Sequence, residues 1–314
     1  MASDPNLIQS RSFSLLTFWT RFRHSDIPTA LMFLLPAVII LGVFSFYPIG
    51  AALRLSLFKW DNLAPVQTFV GWDNYAALIQ SSRFWNSMLV TMEYTVGVTL
   101  ISLSAGLGMA VLLNHRLLIA KGLWRTIYFL PVVTPSVAAA MVWMLIFNPG
   151  FGFVNIFLRS LGLQGLNWLA DQTWALPTIM TLGIWRRLGF NLLIYLAALQ
   201  AIPHDYYESA QVDGANSWQR FRSITLPLLQ PTTVMLVILG VIDSFLVFDQ
   251  VMVLTRGGPG SATEVIGQYL YTIAFSQFRM GMGAAISVVM FLAIALFTLL
   301  QWRFVGLGIS EESQ

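Results

Sequence analysis

From Ile27 to Leu53 the sequence carries no charged side chain, and no other stretch constrains the fold more. The run exceeds the roughly 20 residues that an α-helix needs to cross hydrocarbon, where every backbone amide and carbonyl must be paired inside the segment. A cleaved signal peptide would have an apolar region of only about 7 to 15 residues, followed by a small-residue cleavage site. Here the run continues through Phe44-Ser45-Phe46-Tyr47-Pro48, so a retained membrane anchor is expected.

Five more apolar runs follow, over 87–113, 126–147, 174–201, 232–254 and 280–303. With 57% hydrophobic and 10% charged residues, the chain has too little polar surface to cover a soluble globule of its size. The expected fold is an all-α integral membrane protein of about six transmembrane helices. A polar segment 1–26 precedes the transmembrane domain 27–305, and a short tail 306–314 ends it. Pro131 and Pro135 interrupt the third run, and the backbone groups they free must be satisfied inside a bundle or by water, so this span is not expected to face lipid all round. The segment 148–173 is glycine-rich, with a short helix expected around 153–161. The cluster Arg256-Gly257-Gly258-Pro259-Gly260 marks a turn.

An even number of spans puts both termini on one side. That side, with the loops 114–125 and 202–231, carries Arg11, Arg21, Arg23, Arg116, Lys121, Arg125, Arg220, Arg222 and Arg303. The other side carries Arg54, Lys59, Arg83, Arg159, Arg256 and Arg279. The excess places the termini and the 202–231 loop in the cytoplasm of a multi-pass cytoplasmic-membrane protein. The formal charge of +3 is accounted for by these orientation signals and gives no support to nucleic-acid binding. The chain has no cysteine, and His24, His115 and His204 all fall in loops, so neither a disulfide framework nor a metal site is expected.

Five charges remain inside spans: Glu93, Arg186, Arg187, Asp243 and Asp249. Each costs roughly 2.5 to 3.5 kcal/mol at mid-bilayer, so each must pair or face a wet cavity. Buried structural ion pairs are the plain alternative to a transport route. Gly240, Asp243, Ser244 and Val247 fall at i, i+3, i+4 and i+7, hence on one helical stripe, and at about 100° per residue Asp249 lies some 240° round from Asp243. Arg187, Phe190 and Asn191 share a face of the fourth span, with Arg186 about 100° away.

The loop between the fourth and fifth spans reads IPHDYYESAQVDGANSWQRFRSITLPLLQP over 202–231. Pro203 is expected to open a helix at its first position, and Asp213-Gly214 to stop it. Ser217 is expected to cap a second short helix lined by Trp218, Phe221 and Ile224, ended by Pro227 and Pro231. Such a loop need be no more than a solvated connector.

Glu208-Ser209-Ala210-Gln211-Val212-Asp213-Gly214-Ala215, with Leu226-Pro227 beyond, closely resembles the E-A-A-x-x-D-G-A loop of binding-protein-dependent ABC importer permeases. The third-span sequence YFLPVVTPSVAAAMVWMLIFNPGFGFVN, the segment from Trp185 to Pro203 and the Gly257-Gly258-Pro259 turn are similar to the carbohydrate branch of that family. The resemblance covers roughly Ile27 to Val305, and departs from the family loop in Ser209, where alanine is usual. It implies a type I importer permease fold, and a loop acting as a coupling helix that docks on an ATP-binding subunit through Glu208, Ser209, Ala210, Asp213, Gly214 and Ala215. It also carries sugar-binding positions onto Val132, Ser136, Arg187, Phe190, Gly240, Asp243, Ser244 and Val247, with Asn191 added by its shared face with Arg187.

The implied partners are a second, homologous permease subunit, two ATP-binding subunits and an extracytoplasmic solute-binding protein. ATP and Mg would be held by those subunits, since this chain has no G-x-x-x-x-G-K-[ST] and needs no cofactor of its own. The expectation is a permease subunit that moves a carbohydrate or glycoside by alternating access. Glycerol-phosphate or compatible-solute import by the same machinery is an alternative. A proton-coupled secondary transporter with Asp243, Asp249 and Glu93 as relay groups is a third reading. An enzyme is not expected, because no nucleophile, base and orienter set is present.

Overall fold

The computed structural model describes residues 27–61, 66–115 and 120–309. The expected segment 1–26, with Arg11, Arg21, Arg23 and His24, lies outside the described residues, as do Arg116 and positions 310–314 of the tail. The chain divides into two compact units, Met1–Arg54 and Leu55–Gln314.

In the first unit, helix α1 (Ile27–Leu41) runs through one π-helical turn, Gly42–Phe46, into α2 (Tyr47–Leu55). The turn closes with the Tyr47 N–H on the Gly42 carbonyl, one residue before Pro48. Proline brings no N–H and clashes with the carbonyl four residues back, so a wider turn ahead of it lets the helix continue. Met32–Leu55 is long and apolar enough to cross a membrane.

The second unit opens with a two-stranded antiparallel pair, β1 (Phe58–Lys59) and β2 (Thr68–Phe69), then the short helix α3 (Asp73–Ile79). Its centre is a packed pair of long helices, α4 (Ser82–Asn114) and α8 (Ala175–Ala201). They approach closely at Gly183, whose missing side chain makes room for the Tyr94 hydroxyl that an added carbon would strike. Tyr94, Val98, Ile179 and Leu182 are buried in one apolar cluster, while Leu103, Leu192, Tyr195 and Leu196 are buried in another.

The third expected span is bent. Helices α5 (Lys121–Val133) and α6 (Ser136–Ile146) meet at 100°, with Thr134 and Pro135 extended between them. Extended backbone before a proline is what its ring imposes on its neighbour. Helix α7 (Phe153–Ser160) occupies the glycine-rich segment where a short helix was expected.

The loop after α8 folds as helix, turn, helix, with boundaries that differ from expectation. Pro203 is extended and precedes α9 (His204–Val212) rather than opening it. The second helix, α10 (Ser217–Arg220), is capped by Asn216 and not by Ser217. The Asn216 side chain accepts from the Gln219 N–H at 2.9 Å, and the Gln219 side chain accepts from the Asn216 N–H at 2.8 Å, closing a capping box. Pro227 and Pro231 do not end the helix. A π turn, Phe221–Thr225, leads into α11 (Leu226–Leu228), again closing one residue before a proline, and Pro231 lies in the first turn of α12 (Gln230–Phe245).

The fifth expected span also departs from a single rod. The chain Ser217–Leu228 meets α12 at 62°, and α12 stops at Phe245 before the short α13 (Asp249–Leu254). After α14 (Ile266–Tyr271) and a third π turn, Thr272–Ser276, the long α15 (Met280–Ile309) completes the unit. Four described helices are long and apolar enough to cross a membrane, and six spans result when each bent pair counts as one.

Candidate functional site

A cavity of about 490 Å³ opens among α4, α5, α8, α12 and the 246–250 segment. Its size falls within the range of small-molecule sites, about 300 to 1,000 Å³. Of the residues singled out from sequence, Val132, Arg187, Phe190, Asp243, Ser244 and Val247 line it.

Arg187 projects from α8 and donates through Nη1 to Asp243 Oδ2 on α12. The Arg187 side chain is 8% exposed, whereas the Asp243 side chain is 70% exposed. Asp243 thus presents acceptor capacity to the cavity, while its partner is walled in. Arg187 Nη2 reaches the Leu236 carbonyl at 3.4 Å, and Cζ lies 5.9 Å from the Phe190 ring centroid. Phe190 offers a ring face in the same cavity.

The other expected residues stand behind this lining. A side-chain carbon at Gly240 would lie 2.9 Å from Thr99 Cγ2 and at ordinary contact distance, 3.5 Å, from Arg187 Nε, so glycine there lets α12 pack against Thr99 of α4 beside the arginine. Ser136 does not line the cavity, but its hydroxyl donates to Asp249 Oδ2, at 2.7 Å, and Asp249 does. Asn191 is fully buried between α8 and α4, with Nδ2 on Ser102 Oγ at 3.1 Å, and does not reach the cavity.

Asp249, Arg186, Tyr94 and Gln250 join the lining beyond the expected set. The 240° separation of Asp249 from Asp243 assumed an unbroken helix. Leaving the helix at 246–248, with Phe248 at φ −145°, returns Asp249 to the same cavity. Tyr94 donates to Gln250 Oε1 at 3.1 Å, a buried bond between α4 and α13. Neither residue is charged, and charge was the signal being followed. Glu93 is exposed and forms no ion pair or hydrogen bond with a described residue.

The 202–231 loop is closed by its own hydrogen bonds. The Asp213 and Ala215 N–H groups donate to the Ser209 and Ala210 carbonyls at 3.0 and 2.9 Å, and Gly214 takes φ +82°, a region open to glycine. Tyr207 and Thr225 share a hydroxyl bond of 2.9 Å across the two arms. Glu208, Ser209, Asp213 and Gly214 are exposed, while Ala210 and Ala215 are half-buried. The loop also exposes Val212 and Trp218, at 88% and 66%, an apolar surface unusual for a solvated connector. Among the described residues no group of three or more His, Asp or Glu side chains is placed to hold a metal ion.

Residues 102–305 match the family described as the binding-protein-dependent transport system inner membrane component. The chain is 35% identical to a trehalose/maltose transport system permease protein of Thermococcus litoralis, over 89% of this chain and 94% of that protein. It is 32% identical to an sn-glycerol-3-phosphate transport system permease protein of Agrobacterium fabrum, over 86% and 92%. Among solved structures, a bacterial ABC transporter involved in import of the acidic polysaccharide alginate has a similar chain, with TM-score 0.78 and 25% identity over 92% and 98%. The same similarity, 0.78 at 26% identity, holds for an alginate transporter in complex with its pentasaccharide-bound periplasmic protein.

Proposed function

This chain belongs to the family of binding-protein-dependent transport system inner membrane components, and on that premise we propose that it passes a carbohydrate or glycoside through the cavity around Arg187 and Asp243. The observation that carries this reading is the composition of that lining. Exposed carboxylates, arginine donors, a serine hydroxyl and the aromatic rings of Tyr94, Phe190 and Phe248 suit a polyhydroxylated ligand, whose hydroxyls both donate and accept and whose ring faces are apolar. The trehalose/maltose relative and the alginate transporter support the substrate class.

In this reading the 202–231 loop is the coupling element, and Glu208, Ser209, Ala210, Asp213, Gly214 and Ala215 meet a cytoplasmic ATP-binding subunit. Two such subunits hold ATP and Mg, a second homologous permease subunit completes the membrane part, and an extracytoplasmic binding protein delivers substrate. The alginate transporter bound to its periplasmic protein supports the last of these. Helix α8 leads into the loop and α12 leads out of it, so the Arg187–Asp243 pair ties together the two helices that flank the joint. Substrate hydroxyls that compete for Asp243 loosen this tie, and closure of the ATP-binding subunits then rocks the helices between inward-facing and outward-facing arrangements. The lysine and arginine bias supports a cytoplasmic location for the loop and both termini.

Glycerol-phosphate import is a second reading, favoured by Arg186, which lines the cavity with a buried Nε that has no hydrogen-bond partner. The importer reconstituted from all its subunits and assayed for uptake of neutral disaccharides, glycosides, acidic oligosaccharides and glycerol phosphate decides between them. Uptake of a saccharide supports the first reading. Uptake of glycerol phosphate alone replaces it with the second.

A further inference from the structure

Glu93 stands apart from the cavity. At 100° per residue it leaves α4 about 100° round from Tyr94 and about 140° round from Val98, the two α4 residues in the lining. It falls instead on a stripe with Leu89, Val96 and Leu100, which are 56%, 54% and 59% exposed. Trp85, whose indole N–H donates to the Ile79 carbonyl at 2.7 Å, marks the start of this helix, where an aromatic side chain suits the membrane interface. Eight residues further on, Glu93 lies about 12 Å deeper along the axis, beyond the reach of a glutamate side chain back to that interface.

A carboxylate on an apolar stripe at this depth is costly against lipid and calls for a partner. Among the described residues of the second unit none pairs with it, and the first span has no charged residue between Ile27 and Leu53. Of the subunits expected in the importer, the ATP-binding subunits and the solute-binding protein lie outside the bilayer. Only another membrane-spanning chain can bring a cation to this level. We propose that the Leu89–Glu93–Val96–Leu100 stripe of α4 is the docking face for the second permease subunit, with Glu93 paired to a basic side chain of that subunit. The inference rests on the reading of this chain as one of two permeases.

The sequence has no cysteine, so introduced thiols report cleanly. In the assembled importer, Leu89→Cys, Val96→Cys and Leu100→Cys are each paired with single cysteines along the spans of the second permease and, in a parallel set, along this chain's own first span. Cross-links at these three positions, and none at the buried Val90→Cys, are the expected result. Glu93→Leu should lower the yield of assembled complex about tenfold or more, because it strands the partner's cation, and Glu93→Gln should lower it less. Two outcomes overturn the interface alone: cross-links confined to this chain's own first span, or labelling by a lipid-phase reagent together with undiminished assembly of Glu93→Leu. A wild-type chain that assembles with no second permease overturns the functional reading as well.

Discussion

Asp243 is held by an arginine yet open to the cavity, and the two facts pull its energetics in different directions. Because its side chain is 70% exposed, the ion pair is screened and stabilises the fold only modestly. Its removal, however, leaves the buried Arg187 guanidinium with only the Leu236 carbonyl at 3.4 Å. Asp243→Leu should therefore cost about 1–3 kcal/mol in thermal stability while leaving assembly intact, and should abolish uptake. Normal uptake kinetics in that variant would show that the pair is purely structural. Tyr94→Phe tests the far wall: it strands the buried Gln250 Oε1 at a cost of about 1–3 kcal/mol and should weaken apparent substrate affinity more than the maximal rate. Of the residues that periodicity brought forward, Asp243 and Ser244 reach the cavity because α12 is regular through Phe245, Val247 reaches it from just beyond the helix end, and Gly240 stands behind the lining. Asp249 was misplaced for the opposite reason, since a helix break resets the angular phase and no single residue at 246–248 announces one. Asn191 shares a face with Arg187, but a shared face can serve a neighbouring helix as readily as a cavity, and here it serves Ser102.

At the scale of elements, the apolar runs made the spans legible, and prolines marked where they deviate. Pro135 sits at the 100° bend between α5 and α6, and Pro48 and Pro227 each follow a π turn. The third π turn, Thr272–Ser276, has no proline behind it, and so had no counterpart in the sequence. The 202–231 loop was readable through its turn chemistry. Asp213-Gly214 stops a helix because Gly214 adopts φ +82°, and the Gly214 N–H donates to the Gln211 carbonyl at 3.1 Å. Gly214→Pro removes that donor and demands φ near −65°, a strain of about 1–3 kcal/mol that the exposed turn relieves by refolding locally. Transport-stimulated ATP hydrolysis should then be lost while binding-protein docking persists. Retained stimulation would remove the loop from the coupling pathway.

For the whole molecule, the choice lies between energy delivered through the loop and energy delivered through protons in the cavity. A relay needs titratable groups in sequence along a wet path. Asp243 is committed to Arg187, and Asp249 accepts from Ser136 at 2.7 Å. Glu93, the third candidate, lies on another face of α4. The chain therefore offers a polar site without a continuous line of carboxylates, and a protruding joint, exposing Val212 and Trp218, that a soluble partner can grip. Membrane vesicles carrying the complete importer should keep accumulating substrate when the proton gradient is collapsed, and should stop when internal ATP is exhausted. If uptake instead follows the gradient and ignores ATP, the 202–231 loop is only a connector and the cavity works without the ATP-binding partners proposed for it.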